Sequence, residues 1–362
     1  MPRRSKKIIR AALSAMHVMR ADGLLARFSQ VNGVVFMLHH VTPTPPQDFD
    51  PNGHLRVTPE FLDDVIGQVR NAGFDFISLD DIPKRLESRA QEKPFAAFTL
   101  DDGYKDNRDY AYPIFKRHNV PFTIYIPTDF ADGNGELWWL VLEEALRRLS
   151  VTRIEMSGTT REFQLRTTSE KDLAFDVIYG WLRQLPERQA RDVVQRLAQD
   201  AHYDQRQLCR DLVMTWDEIR ALARDPLVTI GGHTRTHYAL AKLSAAEARE
   251  EMQDSVARLS TELGSPCRHF SYPYGCEHSA GQREFDVARE LGMATAVTTR
   301  KGLLYRSHTD HLTALPRLSL NGGFQDSRFV KVLLSGAPFA ALHAWQSLVP
   351  QRFRDVARTS QI

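Results

Sequence analysis

The chain has few cysteines, no long apolar run and almost no excess of charge. Its three cysteines, Cys209, Cys267 and Cys276, are too few and wrongly spaced for a disulfide framework or a cysteine-rich zinc site, so we expect reduced thiols. No stretch reaches the roughly 20 apolar residues that span a bilayer. A formal net charge of +2, from 47 Lys and Arg against 45 Asp and Glu, argues against a general nucleic-acid-binding protein.

The chain also lacks internal repeats and low-complexity tracts. Its hydrophobic fraction of 42% and charged fraction of 25% are typical of globular proteins, which argues against disorder. The 362 residues are enough for one large α/β domain with additions or for two smaller domains.

The N-terminus begins like a secretory signal but does not continue like one. Basic side chains are concentrated in the first ten residues, yet His17, Arg20 and Asp22 interrupt the apolar stretch that follows, and no convincing cleavage site comes after it. We therefore expect a cytoplasmic protein. Apolar residues at helical spacing predict an amphipathic helix within residues 1–30, which either packs on the domain or lies peripherally on an anionic inner membrane.

Strand-like and helix-like segments alternate through residues 31–325. This alternation is typical of an α/β fold with a mostly parallel sheet, and about seven core strands suit a (β/α) barrel, complete or missing one strand. The predicted strands are residues 34–38, 74–79, 95–100, 122–126, 227–230, 269–272, 294–298 and 315–320.

Two segments depart from that alternation. Residues 136–213 begin with a helix at Trp138 and Trp139, continue with a hairpin-like stretch and end with charged helical sequence, so they predict an insertion or cap. Residues 326–362 predict a helical tail at the C-terminal end.

Two adjacent carboxylates follow the apolar run at residues 95–100. A buried parallel strand delivers polar groups to a sheet edge in this way, and Gly103 allows the backbone to bend so that Asp101 and Asp102 share one pocket. One carboxylate would then hold a metal while the other takes a proton from water. The alternative is a solvated acidic turn, since Asp-Asp-Gly is also ordinary turn sequence.

Two histidines four residues apart follow the strand predicted at 227–230. We expect His233 and His237 on one face of a helical turn, from which both imidazoles reach one metal, with Gly231 and Gly232 forming a tight turn out of the strand. Together with Asp102 they would form a two-histidine, one-carboxylate set with positions left for water and substrate. The alternative is a histidine pair without a metal.

A third strand end carries Ser271-Tyr272-Pro273-Tyr274-Gly275. Proline fixes the loop and glycine permits a turn, so the amide of Tyr274 would face a substrate oxyanion while its ring packs on a sugar. The alternative is an aromatic turn that serves the core.

In this order, the three motifs resemble the leading motifs of the polysaccharide deacetylase family, the NodB-homology domain of carbohydrate esterase family four. The resemblance extends from about residue 33 to residue 321, without the insertion. It implies a distorted (β/α)7-8 barrel, with a mostly helical insertion and helical terminal extensions, that removes an acyl group, usually N-acetyl, from an amino sugar.

The resemblance also implies a role for each motif residue. Asp101 becomes the general base, and Asp102, His233 and His237 become the ligands of a divalent metal, most simply Zn²⁺. The Tyr274 amide becomes part of the oxyanion hole.

Two roles have no match at their usual positions in the family. The general-acid histidine normally lies in a late strand, but residues 35–41 resemble a branch that carries it near the N-terminus, which favours His39 over His40. Many members have at position 271 an arginine that holds the base aspartate; here the position is serine, and Arg317 is the better replacement, with Arg268 weaker.

The expected substrate is an acylated amino sugar in a bacterial polysaccharide, oligosaccharide or lipid-linked precursor. An O-acyl esterase or a deformylase would use the same site. A catalytically inactive sugar-binding module is a further alternative, with Trp138, Trp139, Tyr104 and Tyr274 as stacking platforms, although buried tryptophans more often belong to a core.

Overall fold

Seven parallel strands close into a barrel in the computed structural model, which describes residues 31–88 and 92–339. Strand β1 (Gly33–Leu38) closes the ring because it pairs with two other strands. On one side Gly33 lies opposite Phe95 of β5 (Phe95–Leu100), and on the other Phe36 lies opposite Leu318 of β12 (Leu315–Ser319). This confirms the predicted barrel. Around the ring the strands are β1 (Gly33–Leu38), β12 (Leu315–Ser319), β11 (Thr295–Lys301), β10 (His269–Ser271), β9 (Val228–Gly232), β6 (Phe122–Ile126) and β5 (Phe95–Leu100).

The strand predicted at residues 74–79 is much shorter in the structure. Strand β4 (Asp75–Phe76) pairs only with the amino end of β5 and lies outside the closed ring. The chain turns away because Ser78 donates its hydroxyl to Asp81 at 2.8 Å, which starts a helical turn where the strand was expected to continue.

Helices connect the strands, and several begin at the caps that the sequence indicates. The hydroxyl of Thr58 accepts a hydrogen bond from the amide of Phe61, and Pro59 occupies the first helical position. The helices are α1 (Pro59–Asn71), α2 (Ile82–Glu87), α3 (Tyr112–His118), α4 (Thr128–Ala131), α5 (Trp138–Arg148), α6 (Thr168–Leu182), α7 (Glu187–Asp200), α8 (Gln205–Leu212), α9 (Trp216–Leu222), α10 (Ala245–Leu263), α11 (Gln282–Glu290) and α12 (Ser327–Leu334). Two short strands, β2 (His40–Val41) and β3 (Arg56–Val57), pair beside the barrel, while β7 (Val151–Met156) and β8 (Thr159–Gln164) form a hairpin.

The segment between β6 and β9 forms a second apolar core. Helices α5 to α8 and the β7–β8 hairpin occupy the stretch in which the sequence predicts an insertion. Their buried side chains pack with Tyr104 and Phe130, which follow the carboxyl ends of β5 and β6. The insertion therefore covers that side of the barrel's carboxyl rim.

The predicted terminal helices are only partly within the described residues. Helix α12 packs against α1, and Val330 and Leu334 join the barrel core. The amphipathic helix predicted within residues 1–30 and the tail beyond residue 339 lie outside the described ranges. Within those ranges no helix has both the length and the apolar composition needed to cross a membrane.

Candidate active site

The polar motifs meet at the carboxyl rim of the barrel, where parallel strands place their site residues. The strands deliver them separately: Asp101 and Asp102 follow β5, His233 and His237 follow β9, Tyr274 follows β10, His39 follows β1, and Arg317 lies within β12.

The two adjacent aspartates are both buried at this rim because the backbone bends at two successive residues. Asp102 has a φ of 74° and Gly103 a φ of 69°, so the left-handed conformation begins one residue before the glycine. At Gly103 a Cβ atom would also lie 2.6 Å from Ile126 Cδ1. The solvated-turn alternative is wrong, since each aspartate is only 2% exposed.

Asp102, His233 and His237 form a compact cluster of metal-ligand type. Asp102 Oδ1 lies 3.5 Å from His233 Nε2 and 3.3 Å from His237 Nε2. It is buried and has no hydrogen-bond partner among the described residues. His233 Nδ1–H donates a hydrogen bond of 2.6 Å to the Ser271 carbonyl oxygen, which leaves the Nε2 lone pair facing the cluster. These residues fit a divalent metal with nitrogen and oxygen ligands.

The charges of the cluster also fit such a site. Burial opposes ionisation of Asp102, but the adjacent imidazoles of His233 and His237 hold the pKa of its carboxyl well below the usual range. Burial lowers the pKa of His237 more than the charge of Asp102 raises it. The neutral imidazole that a metal requires is therefore favoured.

Two expectations about the histidine loop are wrong. Gly231 and Gly232 belong to β9 instead of forming a turn, and glycine is required at 231 because a Cβ atom would lie 2.6 Å from the Tyr125 ring. Residues 233–237 are not a helical turn, since Thr234 and His237 both have a φ of 63°, which no right-handed helix contains. The loop is closed instead by a hydrogen bond of 2.9 Å from the His237 amide to the Thr234 hydroxyl.

Arg317 contacts both carboxylate oxygens of Asp101. Its Nη1 and Nη2 atoms lie 2.8 and 2.7 Å from Asp101 Oδ1 and Oδ2, and the arginine is only 1% exposed. Burial would raise the pKa of Asp101, but the charge and hydrogen bonds of Arg317 outweigh it and leave that pKa lowered. Arg268 is 60% exposed at its side chain and pairs with Asp80, so the alternative that it holds Asp101 is wrong.

Ser271 takes part in the same arrangement. Its side-chain oxygen lies 3.1 Å from Arg317 Nη2, while Arg317 Nε donates to the Thr298 carbonyl oxygen. The serine at position 271 thus leaves room for an arginine from another strand and hydrogen-bonds to it.

The two neighbouring histidines of residues 39 and 40 have different surroundings. His39 Nε2 lies 4.0 Å from Asp101 Oδ2, and the His39 side chain is 20% exposed at the site mouth. His40 is buried against the ring of Tyr104, with its Nδ1 atom 2.7 Å from Asp106 Oδ2. Burial lowers the pKa of His39, although Asp102 and Asp101 oppose this shift.

Tyr274 adopts a left-handed conformation, with a φ of 60°. Its backbone amide makes no hydrogen bond within the described residues, so it is free to donate to a substrate. The ring is not the open sugar platform that the sequence suggests. Its hydroxyl accepts a hydrogen bond of 2.7 Å from Trp138 Nε1, and the Arg183 guanidinium carbon lies 3.8 Å above the ring centre.

Sequence reasoning missed the contribution of the insertion to this site. Trp138 and Trp139 are 2% and 5% exposed and pack beside Tyr274 and His237, so they are not exposed stacking platforms. The tryptophan pair at the start of the insertion was the only signal. Arg183 had none, because its position depends on how α6 packs.

The fold and cluster are those of a barrel hydrolase with a candidate metal centre. A family model described as polysaccharide deacetylase matches residues 88–296, more than half of the chain. The chain therefore belongs to the polysaccharide deacetylase family and is a hydrolase of the deacetylase class. No curated protein sequence matches it.

Three similar solved structures support the fold. Streptococcus pyogenes deacetylase PplD, in complex with acetate, has a TM-score of 0.55 and 16% identity over 85% of this chain and 99% of its own. IcaB from Ammonifex degensii has a TM-score of 0.51 and 15% identity, over 83% and 97%. A de-N-acetylase from Aggregatibacter actinomycetemcomitans has a TM-score of 0.51 and 16% identity, over 83% and 99%.

Proposed function

We propose that the protein is a metal-dependent deacetylase that removes an N-acyl group, most simply N-acetyl, from an amino sugar in a bacterial polysaccharide, oligosaccharide or lipid-linked precursor. The observation that carries this proposal is the buried Asp101–Arg317 pair next to the Asp102, His233 and His237 cluster. An ionised carboxylate beside a set of metal ligands is an arrangement that suits metal-assisted hydrolysis of an amide.

Asp102, His233 and His237 would hold the divalent metal, and two imidazoles with one carboxylate favour zinc. Bound there, the metal supplies Lewis acidity that polarises the acyl carbonyl and lowers the pKa of water. Asp102 is included among the proposed metal ligands because its Oδ1 atom is buried and has no hydrogen-bond partner in the described part of the chain.

Asp101 is the general base. The Arg317 guanidinium favours its ionised form and fixes both oxygens, so the carboxylate is oriented before substrate arrives. It takes a proton from the water that attacks the acyl carbon. The Tyr274 amide donates to the oxygen on which negative charge develops.

His39 is the general acid. Its exposed edge at the site mouth gives it access to the leaving nitrogen, and the nearby Asp102 and Asp101 carboxylates partly oppose the lowering of its pKa by burial. It donates a proton to the departing amine while the carbon–nitrogen bond breaks. Asp101 has gained one proton and His39 has lost one, so a proton transfer between the two groups restores the starting state.

The decisive experiment uses mass spectrometry of acetylated amino-sugar oligomers that are incubated with the metal-loaded protein. We expect acetyl loss that stops with a chelator and returns with added zinc. The Asp101→Asn variant should lose turnover by at least about 100-fold because no base remains, yet retain its metal in elemental analysis. Asp109→Asn, an exposed aspartate on the same segment, is the matched control.

Parallel incubations with O-acetyl and N-formyl oligomers distinguish the esterase and deformylase alternatives. Full activity of Asp101→Asn would contradict the assignment of the base. Absence of acyl release from every oligomer would contradict the proposed function.

A further inference from the structure

One arginine of the insertion reaches the candidate active site without a carboxylate partner. Arg183 follows the C-terminal end of α6, and its guanidinium lies over the Tyr274 ring with 3.8 Å between the guanidinium carbon and the ring centre. Within the described ranges its side chain makes no ion pair with Asp or Glu, and its Nη2 atom donates to Ser279 Oγ at 3.3 Å. It is half-buried and so remains accessible.

The neighbouring charges do not neutralise Arg183. Glu187, four residues further along the chain, is already shared by two cations, with Arg191 Nη2 at 3.1 Å and Lys242 Nζ at 3.2 Å. Glu136 lies 3.5 Å from Arg191 Nε. Both carboxylates are thus paired with other cations, and neither forms an ion pair with Arg183.

Arg183 lies close to the residues that are proposed to carry out the chemistry. The Tyr274 ring contacts Arg183 on its face and His237 at an edge-on angle, with 4.9 Å between the His237 and Tyr274 ring centres. Arg183 is therefore separated from a proposed metal ligand by a single aromatic ring. The guanidinium thus lies against the residue whose backbone amide is proposed to contact the acyl oxygen.

We propose that Arg183 binds an anionic group of the substrate, a carboxylate or a phosphate, next to the amino sugar that loses its acyl group. A planar guanidinium presents paired N–H donors that match both anions, and partial burial strengthens such a contact. The anion is either a hexuronate carboxylate in the glycan chain or a phosphate at the anomeric position of a precursor. This inference rests on the proposed function because it assigns the substrate class of the same site.

The experiment compares three substrates that share one N-acetylhexosamine. The first is a neutral disaccharide, the second carries a hexuronate as its other sugar, and the third is the N-acetylhexosamine 1-phosphate. We expect the protein to have a kcat/KM about 10- to 100-fold higher for one of the two anionic substrates, the range of one charged hydrogen-bonded contact. The preferred anionic substrate shows whether the bound anion is a hexuronate carboxylate or an anomeric phosphate. This preference should weaken with added salt.

The Arg183→Gln variant should lose this preference through a higher KM. Its kcat/KM for the neutral disaccharide should change less than about threefold, because no anion contact exists to lose. Arg183→Lys should keep part of the preference, since it retains the charge but not the paired donors. Arg188→Gln is the matched control, because its side chain is 80% exposed on the same segment and the change removes the same charge.

Two results would overturn the inference. Equal losses of kcat on all three substrates in Arg183→Gln would show that Arg183 only positions Tyr274. An unmodified protein that does not prefer either anionic substrate would show that no anion is recognised.

The inference and the proposed function fail in different ways. If no substrate releases acetate, the proposed function fails, and calorimetric titration with the same three glycans still decides the inference. Tighter binding of an anionic glycan, lost in Arg183→Gln, would support the anion site; equal binding of all three would refute it.

Discussion

At the scale of single residues, the main feature is a buried ion pair that joins two distant strands. Asp101 and Arg317 are 2% and 1% exposed, and their contact is bidentate. Removing one partner of such a pair leaves an uncompensated buried charge, which costs far more than the loss of a surface ion pair. The pair therefore fixes the position of Asp101, the proposed base, and neither partner can be removed alone without a large loss of stability.

We predict that Arg317→Met lowers the free energy of unfolding by about 3–5 kcal/mol in urea titrations, since the Asp101 carboxylate is then buried without its partner. Arg268→Met, at an exposed arginine paired with Asp80, is the control and should cost no more than about 1 kcal/mol. The double variant Asp101→Asn, Arg317→Met should regain part of the loss. Equal stability of the two arginine variants would contradict this account.

At the scale of elements, the loop between β9 and α10 holds both histidines in a conformation that its sequence does not favour. Thr234 and His237 are left-handed without being glycine. Glu251, buried on α10, accepts hydrogen bonds from the amides of Arg235 at 3.1 Å and Thr236 at 2.9 Å. The hydrogen bonds to the Glu251 carboxylate thus compensate for the cost of the left-handed backbone conformation in this loop.

We expect Glu251→Gln to weaken metal binding by roughly tenfold, the lower end of the effect seen when groups that support metal ligands are removed. A neutral amide accepts less strongly from the two loop amides, so the histidines lose part of their preorganisation. Competition with a chromophoric chelator measures the change. Glu250→Gln, at the exposed neighbouring position of α10, should bind metal normally; matching affinities of the two variants would refute a role for Glu251.

At the scale of the whole molecule, stability is expected to depend on pH through a partly buried carboxyl beside the barrel rim. Burial raises the pKa of Asp129 from 3.8 to about 6, with Arg235 opposing the shift and Glu251 adding to it. Because the folded-state pKa is the higher one, the protonated form is favoured in the fold. Its stabilising contribution is present below about pH 4 and is lost as the pH rises through about 6.

Asp129→Asn should therefore unfold at higher urea concentration than the unchanged protein at pH 8, by about 1 kcal/mol after allowance for solvent screening. At pH 4 the two proteins should be equally stable. Asp217→Asn, whose aspartate side chain is 91% exposed, should show no such pH dependence. A stability difference at pH 8 that persists unchanged at pH 4 would contradict the raised pKa.

The candidate active site combines side chains from the barrel rim and from the insertion. The barrel rim supplies every residue that the three sequence motifs contain, but Trp138 and Arg183 from the insertion contact Tyr274 directly. The insertion therefore contributes side chains to the candidate site from outside the motif set, and the proposed anion contact at Arg183 is one of them.

The sequence by itself determined the barrel and the residues that meet at its rim. Strand periodicity, the polar residues at strand ends and the cap at Thr58 are local signals, and parallel strands bring their carboxyl ends to one edge whatever the details. Asp101, Asp102, His233 and His237 were therefore predictable without coordinates. The motif resemblance added Arg317 as the better partner for Asp101.

Only the tertiary structure decided how these residues are held. It placed Arg317 rather than Arg268 on Asp101, made Gly231 a strand residue beside Tyr125, and brought Arg183 over Tyr274. Each outcome depends on packing between segments far apart in the chain, where side-chain volume and charge compensation override local preference. No spacing within a single segment encodes such contacts.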